Sequence, residues 1–340
     1  MPRELSFTEA INEALHIAMR ADPDVIVLGE DVAGGGGRKD QGIEDAWGGP
    51  FGATRGLIGA FGPKRVRDTP ISEMGFVGAA VGAAATGLRP VAELMFIDFL
   101  GVALDPLLNQ ASKMRYMFGG KMRVPLTVRT NVGAGNRAGC QHSQALYGFT
   151  TAIPGLKTVI PSTPADAKGL LLASIRDDSP VIFCETKSLM NLKGEVPEGD
   201  YEIPLGRAAI VRAGSDVTLI GLGRTVHTSL EAAEMLLADG IRAEVVDLRS
   251  LYPLDEATVL ESLRRTGRVV VVDEAPPYCG IASEISSLCA DKGFDFLDAP
   301  VKKVTAPHTP VPFSPVLEDL YMPSASRVID AVREQLGWNR

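Results

Sequence analysis

The sequence predicts an α/β protein with two doubly wound domains, each built on a parallel sheet covered by helices. Short apolar runs alternate with longer segments of helical periodicity, a pattern typical of parallel sheets. A polar segment at 194–206, which contains Pro197 and Pro204, interrupts this alternation once. The length of 340 residues also suits two domains. We therefore expect domains at 1–193 and 207–340, joined by a linker at 194–206.

The elements of the first domain follow from helix caps and apolar periodicity. Ser6 and Glu9 have the spacing of a capping box and begin a helix, and Thr163 is expected to cap another that runs to about 175. A helix at about 75–86 is rich in Gly and Ala and leaves room for a close neighbour, and a further helix is expected at 99–117. The predicted strands are 25–28, 91–95, 125–130, 157–160 and 181–185.

A glycine-rich stretch follows the first strand, at 34–52. It lacks the Gly-Lys-Ser/Thr ending of a phosphate-binding loop, and we interpret it as a surface loop.

The second domain repeats the alternation of strands and helices. Its predicted strands are 217–220, 243–248 and 268–272, with helices near 225–238 and 255–265 that end at Gly240 and Gly267. Gly221 and Gly223 follow the first of these strands, and Asp247 lies farther along, which imitates a dinucleotide-binding fingerprint. Val226 occupies the position of the third glycine, so a plain strand–helix turn is the preferred interpretation.

Composition and charge limit the classes of partner. The formal net charge is -8, which argues against nucleic acid or an anionic membrane surface as the main partner. No apolar run approaches the roughly 20 residues of a membrane span, and residues 1–9 lack the apolar core of a signal peptide. We expect a cytoplasmic protein. The four cysteines have no metal-binding spacing and are expected to be isolated thiols: Cys140, Cys184, Cys279 and Cys289.

Three side chains of the first domain are candidates for chemistry. Glu73 follows a proline-containing turn and precedes the Gly/Ala helix, where a carboxylate could simply be a helix cap. Phe99 lies in an apolar run and could be a core aromatic residue. His142 lies in a loop; such a histidine is often solvated, but it is the side chain best suited to proton transfer near neutral pH.

The order and spacing of several motifs resemble the β-subunits of the first component of 2-oxo acid dehydrogenase complexes over nearly the whole chain. The motifs are Gly-Glu-Asp-Val at 29–32, Thr-Pro-Ile-Ser-Glu-Met-Gly-Phe at 69–76, Gln-His-Ser-Gln at 141–144, Ile-Pro-Gly-Leu-Lys at 153–157, Asp-Ala-Lys-Gly-Leu-Leu at 166–171 and Ile-Arg-Asp-Asp-Ser-Pro at 175–180. The resemblance implies a thiamine-diphosphate-binding domain of the pyrimidine type, followed by a Rossmann-like transketolase C-terminal domain.

The resemblance also implies roles for single residues. Glu73 matches the glutamate that hydrogen-bonds N1′ of the cofactor aminopyrimidine and so promotes removal of the thiazolium C2 proton. Phe99 matches the aromatic residue that stacks on the same ring, and Glu30 is also assigned to the cofactor site. His142 matches a histidine in the active-site channel that assists acyl transfer to the lipoyl group.

A structural potassium site of some members is matched by five positions, of which Ser179 departs from the asparagine found in some members. They are Leu126, Ser174, Ile175, Asp177 and Ser179.

One family motif is missing from this chain. The Gly-Asp-Gly sequence that precedes paired asparagines and binds the diphosphate does not occur. In the family it lies on the α-subunit, which also holds magnesium. The resemblance therefore implies an α2β2 heterotetramer with thiamine diphosphate bound between chains. It further implies a lipoyl-bearing acyltransferase core as a partner, which we expect to dock on the C-terminal domain.

Several alternatives remain open from the sequence. A non-catalytic scaffold, a complete transketolase-like enzyme and an NAD enzyme are disfavoured by the intact Glu73, by the missing diphosphate motif and by Val226, respectively. Among substrates, acetoin is preferred because residues 304–313 and the long loop after Val32 look most like acetoin dehydrogenase β-subunits. Pyruvate and branched-chain 2-oxo acids remain alternatives.

Overall fold

The computed structural model describes residues 3–34 and 48–337 of the chain. The predicted glycine-rich loop at 34–52 therefore lies mostly outside the described residues. The helices are α1 Phe7–Ala21, α2 Leu57–Phe61, α3 Glu73–Ala85, α4 Leu100–Asp105, α5 Ser112–Met117, α6 Tyr147–Thr151, α7 Pro164–Arg176, α8 Arg224–Ala238, α9 Glu256–Thr266, α10 Ile281–Lys292, α11 Pro315–Tyr321 and α12 Ala325–Leu336. The strands are β1 Glu4–Ser6, β2 Val25–Gly29, β3 Val66–Asp68, β4 Arg89–Phe96, β5 Thr127–Val132, β6 Lys157–Val159, β7 Val181–Thr186, β8 Lys193–Glu195, β9 Ala209–Arg212, β10 Val217–Gly221, β11 Ala243–Asp247, β12 Ser250–Tyr252, β13 Val269–Asp273 and β14 Lys302–Thr305.

The first sheet has seven strands in the order β12-β6-β7-β5-β4-β2-β3. Its six strands from the first half of the chain are parallel, while β12 pairs antiparallel with β6. Helices α1 and α7 pack together in the core on one face, and α3 and α4 contribute apolar residues to the core on the other. This confirms the predicted α/β class for the first half of the chain.

The second sheet has five strands in the order β14-β13-β10-β11-β9, and only β9 is antiparallel. Helices α8 and α12 cover one face. The core on the other face is continuous with the core of the first sheet, since Ile220, Val246 and Val271 belong to the same apolar cluster as Leu94 and Ile182. The two sheets therefore share one core. Residues 196–208, which include most of the predicted linker, contain no helix or strand.

The predicted helix ends are confirmed where side chains make the cap. Ser6 and Glu9 form the reciprocal capping box of α1, and the Thr163 hydroxyl accepts a hydrogen bond from the backbone N–H of Asp166 at the start of α7. Gly267 ends α9 in the left-handed conformation, with φ of 67°.

The single helix predicted at 99–117 is wrong in detail. A 3₁₀ turn at Ile97–Phe99 leads into α4, a π-helical segment covers Pro106–Ala111, and α5 completes the run. Pro106 has no N–H to donate, and its ring crowds the carbonyl one turn earlier, so a regular helix cannot continue through it.

The strand–helix turn at Gly223, which imitates a dinucleotide site, packs against the first domain. Gly223 has φ of 50°, and a Cβ there would lie 2.4 Å from Oγ1 of Thr186 and 3.0 Å from the side chain of Ile160. The Asp247 carboxylate accepts a hydrogen bond from the Ser162 hydroxyl. Gly223 and Asp247 thus contact the first domain, and the NAD alternative is not supported.

Across residues 3–34 and 48–337, no helix combines the length and apolar character needed to cross a membrane.

Candidate active site

The candidate residues lie along the carboxyl edge of the first sheet. Glu30 directly follows β2, Glu73 is the first residue of α3, Phe99 follows β4, and His142 lies in the loop after β5. In open parallel sheets this edge is where ligands bind, because the strand-to-helix loops converge there. The structure therefore brings residues from four separate strand ends to one rim.

Glu73 is a buried carboxylate without a partner. Its side chain is 8% exposed, and within the described part of the chain it accepts no hydrogen bond and forms no ion pair. A capping glutamate would accept a backbone N–H, so the simple capping alternative is not supported. A carboxylate without a protein partner at this edge of the sheet is available to a ligand or to another chain.

Glu30 is the second carboxylate of this rim. It is also 8% exposed, and burial followed by the charge of Glu73 raises its pKa. The charge of Glu73 thus acts on Glu30, and together with burial it favours the protonated form of Glu30.

Aromatic rings surround His142. Its ring centroid lies 5.0 Å from that of Phe96 and 5.5 Å from that of Phe99, both edge-on, and the two phenylalanines are 5.8 Å apart. Phe99 is only partly buried against the core. The structure thus brings the predicted residues Phe99 and His142 together. The third ring, Phe96, was not predicted, because its apolar run reads equally well as buried core.

Two charged residues that the sequence analysis missed hold the histidine loop. The Asp98 carboxylate accepts hydrogen bonds from the backbone N–H groups of Ser143 and Gln144, both at 3.2 Å, and from the Gln144 side chain at 2.9 Å. The ammonium of Lys187 donates to the His142 carbonyl and lies 5.3 Å from the centre of the Phe96 ring. Burial lowers the pKa of Lys187. Aspartate and lysine are common near strand ends, so the sequence alone does not single out Asp98 and Lys187. Their role in holding the loop is identified only by the fold.

The five residues of the predicted potassium site lie at the opposite, amino-terminal edge of the sheet. There the Arg89 guanidinium donates to the carbonyls of Ile175 and Asp177, both at 3.3 Å, and to the Asp178 carboxylate at 3.1 Å. The Ser179 hydroxyl accepts from Arg115 at 3.0 Å. Arginine side chains therefore contact oxygens of Ile175, Asp177 and Ser179, and the potassium site stays a prediction. The residues that the structure describes contain no cluster of three or more His, Cys, Asp or Glu side chains suited to a metal ion.

Comparison with known proteins defines the family. The model of the transketolase pyrimidine binding domain matches residues 3–193, and that of the transketolase C-terminal domain matches residues 206–328. The acetoin:2,6-dichlorophenolindophenol oxidoreductase β-subunits of Bacillus subtilis and Cupriavidus necator are 58% and 57% identical, each aligned over 99% of this chain and 98% of the relative. The 2-oxoisovalerate dehydrogenase β-subunit of Bacillus subtilis is 42% identical over 97% of this chain and 98% of its own length. The chain belongs to the family of acetoin and 2-oxo acid dehydrogenase β-subunits.

The solved structures agree on the fold. A chain described as a split gene transketolase, inactive beta4 tetramer, matches this β-subunit with a TM-score of 0.77 and 25% identity, over 99% of both chains. The predicted order of a pyrimidine-binding domain and a transketolase C-terminal domain is thereby confirmed. The roles of the individual site residues stay predictions.

Proposed function

We propose that this chain is the β-subunit of a thiamine-diphosphate-dependent acetoin dehydrogenase. The complex would break the carbon–carbon bond of acetoin and release acetaldehyde. The remaining two-carbon unit would be oxidised to acetyl and transferred to the lipoyl group of an acyltransferase, whose disulfide is reduced in the same step. The observation that carries the proposal is the buried, unpartnered carboxylate of Glu73 at the rim that also holds Phe99 and His142. The choice of acetoin rests on the higher identity to the two acetoin enzymes, 58% and 57% against 42% for the branched-chain relative.

The residues at the rim fit the cofactor's aminopyrimidine. Glu73 offers a carboxyl group that no described residue satisfies, and Phe99 offers a partly buried aromatic face. When bound, the cofactor supplies the carbon nucleophile that attacks the substrate carbonyl. Glu73 would hydrogen-bond a ring nitrogen and share a proton with it. Glu30, whose pKa is raised by burial and by the charge of Glu73, would lie beside this contact.

His142 would act in the second half of the reaction. Its ring is held edge-on by Phe96 and Phe99, and its backbone is held by Lys187. A fixed imidazole can donate or accept a proton near neutral pH when a thiolate and an acyl group meet. We therefore assign it to acyl transfer toward the lipoyl arm.

A partner α-subunit would complete the site. Two apolar side chains beside Glu73 project into solvent in this chain, with Ile71 84% and Met74 55% exposed. Large apolar groups next to an incomplete polar site are expected to be covered by another chain. We propose that the α-subunit covers them in an α2β2 assembly and supplies the magnesium and diphosphate ligands.

We further propose that the C-terminal domain docks the acyltransferase core and that the complex is cytoplasmic. Potassium is not part of this proposal.

Turnover by the reconstituted αβ complex tests the substrate. Acetoin, pyruvate and a branched-chain 2-oxo acid would be compared with 2,6-dichlorophenolindophenol as the electron acceptor. We expect acetoin to give the highest kcat/KM. A preference for either 2-oxo acid by about tenfold, which is about 1.4 kcal/mol of transition-state binding, would replace acetoin with that substrate.

A further inference from the structure

The loop that carries His142 is held by the second domain as well as by the first. It runs over residues 133–146, between β5 and α6, and four of its residues have positive φ: Gly133 at 88°, Gly135 at 103°, Arg137 at 57° and Gly139 at 75°. Backbone in this conformation does not form regular internal hydrogen bonds, so its N–H groups need other acceptors. The second domain supplies these acceptors.

Glu318 of α11 is the main acceptor. Its side chain is fully buried, and its two carboxylate oxygens receive three donors from the loop. The N–H of Gly135 donates to Oε1 at 2.9 Å, the N–H of Arg137 to Oε2 at 3.1 Å, and the Arg137 guanidinium to Oε2 at 2.6 Å. Charge-assisted hydrogen bonds are among the strongest in proteins, and these converge on one buried group.

Two further contacts from the second domain reinforce this attachment. The carboxylate of Glu274, one residue beyond β13, accepts the N–H of Ala134 at 2.5 Å. The ring of Phe313 lies 3.3 Å from the position that a Cβ on Gly139 would take. Gly139 in turn accepts the N–H of His142 through its carbonyl. The second domain therefore reaches within one hydrogen bond of the histidine.

We propose that Glu318 is a positioning residue for acyl transfer: it fixes the start of the 133–146 loop and thereby the place of the His142 ring. This rests on the proposed role of His142 toward the lipoyl arm. Asp98 and Lys187 fix the end of the same loop from the first domain, so its two ends are held by different domains. A small displacement of one end would move the imidazole relative to its aromatic neighbours, and small misplacements of catalytic groups cost large factors in rate.

The main test is Glu318→Gln in the assembled αβ complex, with Asp319→Asn as the matched control. Asp319 is the next residue on α11 and binds the same arginine at 2.7 Å, but its side chain is 59% exposed. For Glu318→Gln we expect faster amide hydrogen exchange in residues 133–141 and a fall of about tenfold or more in kcat for acylation of a free lipoyl domain. Turnover with 2,6-dichlorophenolindophenol should stay close to wild type. Asp319→Asn should match wild type in all three measurements.

Three results would overturn the proposal. They are unchanged hydrogen exchange in the loop, a released loop with normal lipoyl acylation, and an equal loss in both activity assays. If Glu318→Gln does not assemble, Glu318→Asp decides, because the shorter side chain keeps the buried charge and draws its oxygens away from the loop donors. A loop that stays protected in that variant also overturns the proposal. A wild-type complex that turns over no acetoin would count against the proposed function instead, and hydrogen exchange would still show whether Glu318 holds the loop.

Discussion

Burial and the nearby charge of Glu73 both raise the pKa of Glu30. Neither carboxylate has a hydrogen-bond or ion-pair partner within residues 3–34 and 48–337. The raised pKa of Glu30 favours its protonated form, which places a potential hydrogen-bond donor near Glu73. Glu73 is the carboxylate proposed to share a proton with a ring nitrogen of the bound cofactor.

Replacing Glu73 with glutamine should abolish this proton sharing while the fold survives. Glutamine keeps the size of the side chain and one acceptor, but it cannot exchange a proton in the same way. In the assembled complex we expect retained cofactor binding at high concentration and C2 hydrogen–deuterium exchange slowed by about 100-fold or more. Nuclear magnetic resonance of quenched samples measures that exchange.

Glu30→Gln is the comparison for this variant, since it removes the neighbouring carboxylate and leaves Glu73 in place. We expect a smaller slowing. Wild-type exchange rates in Glu73→Gln would show that Glu73 is structural and that the central assignment is wrong.

The isolated chain should bind thiamine diphosphate and magnesium poorly. The diphosphate motif is absent from its sequence, and Ile71 and Met74 beside Glu73 are exposed in the single chain. Calorimetry should detect tight binding only after co-expression with the α-subunit. Micromolar or better affinity for the chain alone would contradict a site shared between subunits.

Replacing His142 with alanine should separate the two halves of the reaction. The imidazole is assigned to acyl transfer, so acylation of a lipoyl domain should fall more than turnover with an artificial acceptor. His16→Ala is a suitable control, because His16 lies on α1 and packs against Phe61, away from the rim. Equal losses in both assays would assign His142 to the earlier chemistry or to ordering of the loop.

The buried carboxyl group of Glu274 should make the free energy of unfolding depend on pH near neutrality. Burial raises its pKa from 4.5 to about 7, although the Ala134 N–H, Arg224 and Lys187 oppose the shift, and Asp273 adds to it. Because the folded state binds this proton more tightly, the stabilisation is complete below about pH 4.5 and is lost as the pH rises through about 7. The shift corresponds to about 3 kcal/mol at most.

The variant that tests this is Glu274→Gln, which keeps an acceptor for Ala134. Its thermal midpoint should fall less between pH 5 and 8 than that of the wild type, measured for the assembled complex by scanning calorimetry. Glu256→Gln removes a half-exposed carboxylate paired with Lys292 and should leave the wild-type profile. An identical pH profile for Glu274→Gln and wild type would show that Glu274 does not titrate in this range.

Local signals in the sequence predicted most of the sheet strands. Apolar runs such as Val25–Gly29 and Val217–Gly221 are bounded by turns, and caps such as Ser6 and Thr163 mark helix starts, so each is decided by its neighbours in the chain. The interruption at Pro106 was missed because the flanking residues keep helical periodicity.

The residues of the candidate site also fall into two groups: those that the sequence could predict and those that only the fold identifies. Glu73 and His142 stand in short motifs that resemble a family, and so they could be proposed from sequence. Glu318 and Glu274 act on a loop 183 and 140 residues earlier in the chain, and no local pattern predicts contacts over that distance.

The pairing of β12 with β6 limits where the chain can be cut to express the first domain alone. A fragment that stops at the linker would lose Ser250–Tyr252 and leave the Lys157–Val159 strand as an open edge. It would also expose Ile160 and Thr186, which Gly223 covers in the whole chain. An unpaired edge beside newly exposed apolar surface invites self-association. A truncated first domain is therefore expected to be poorly soluble.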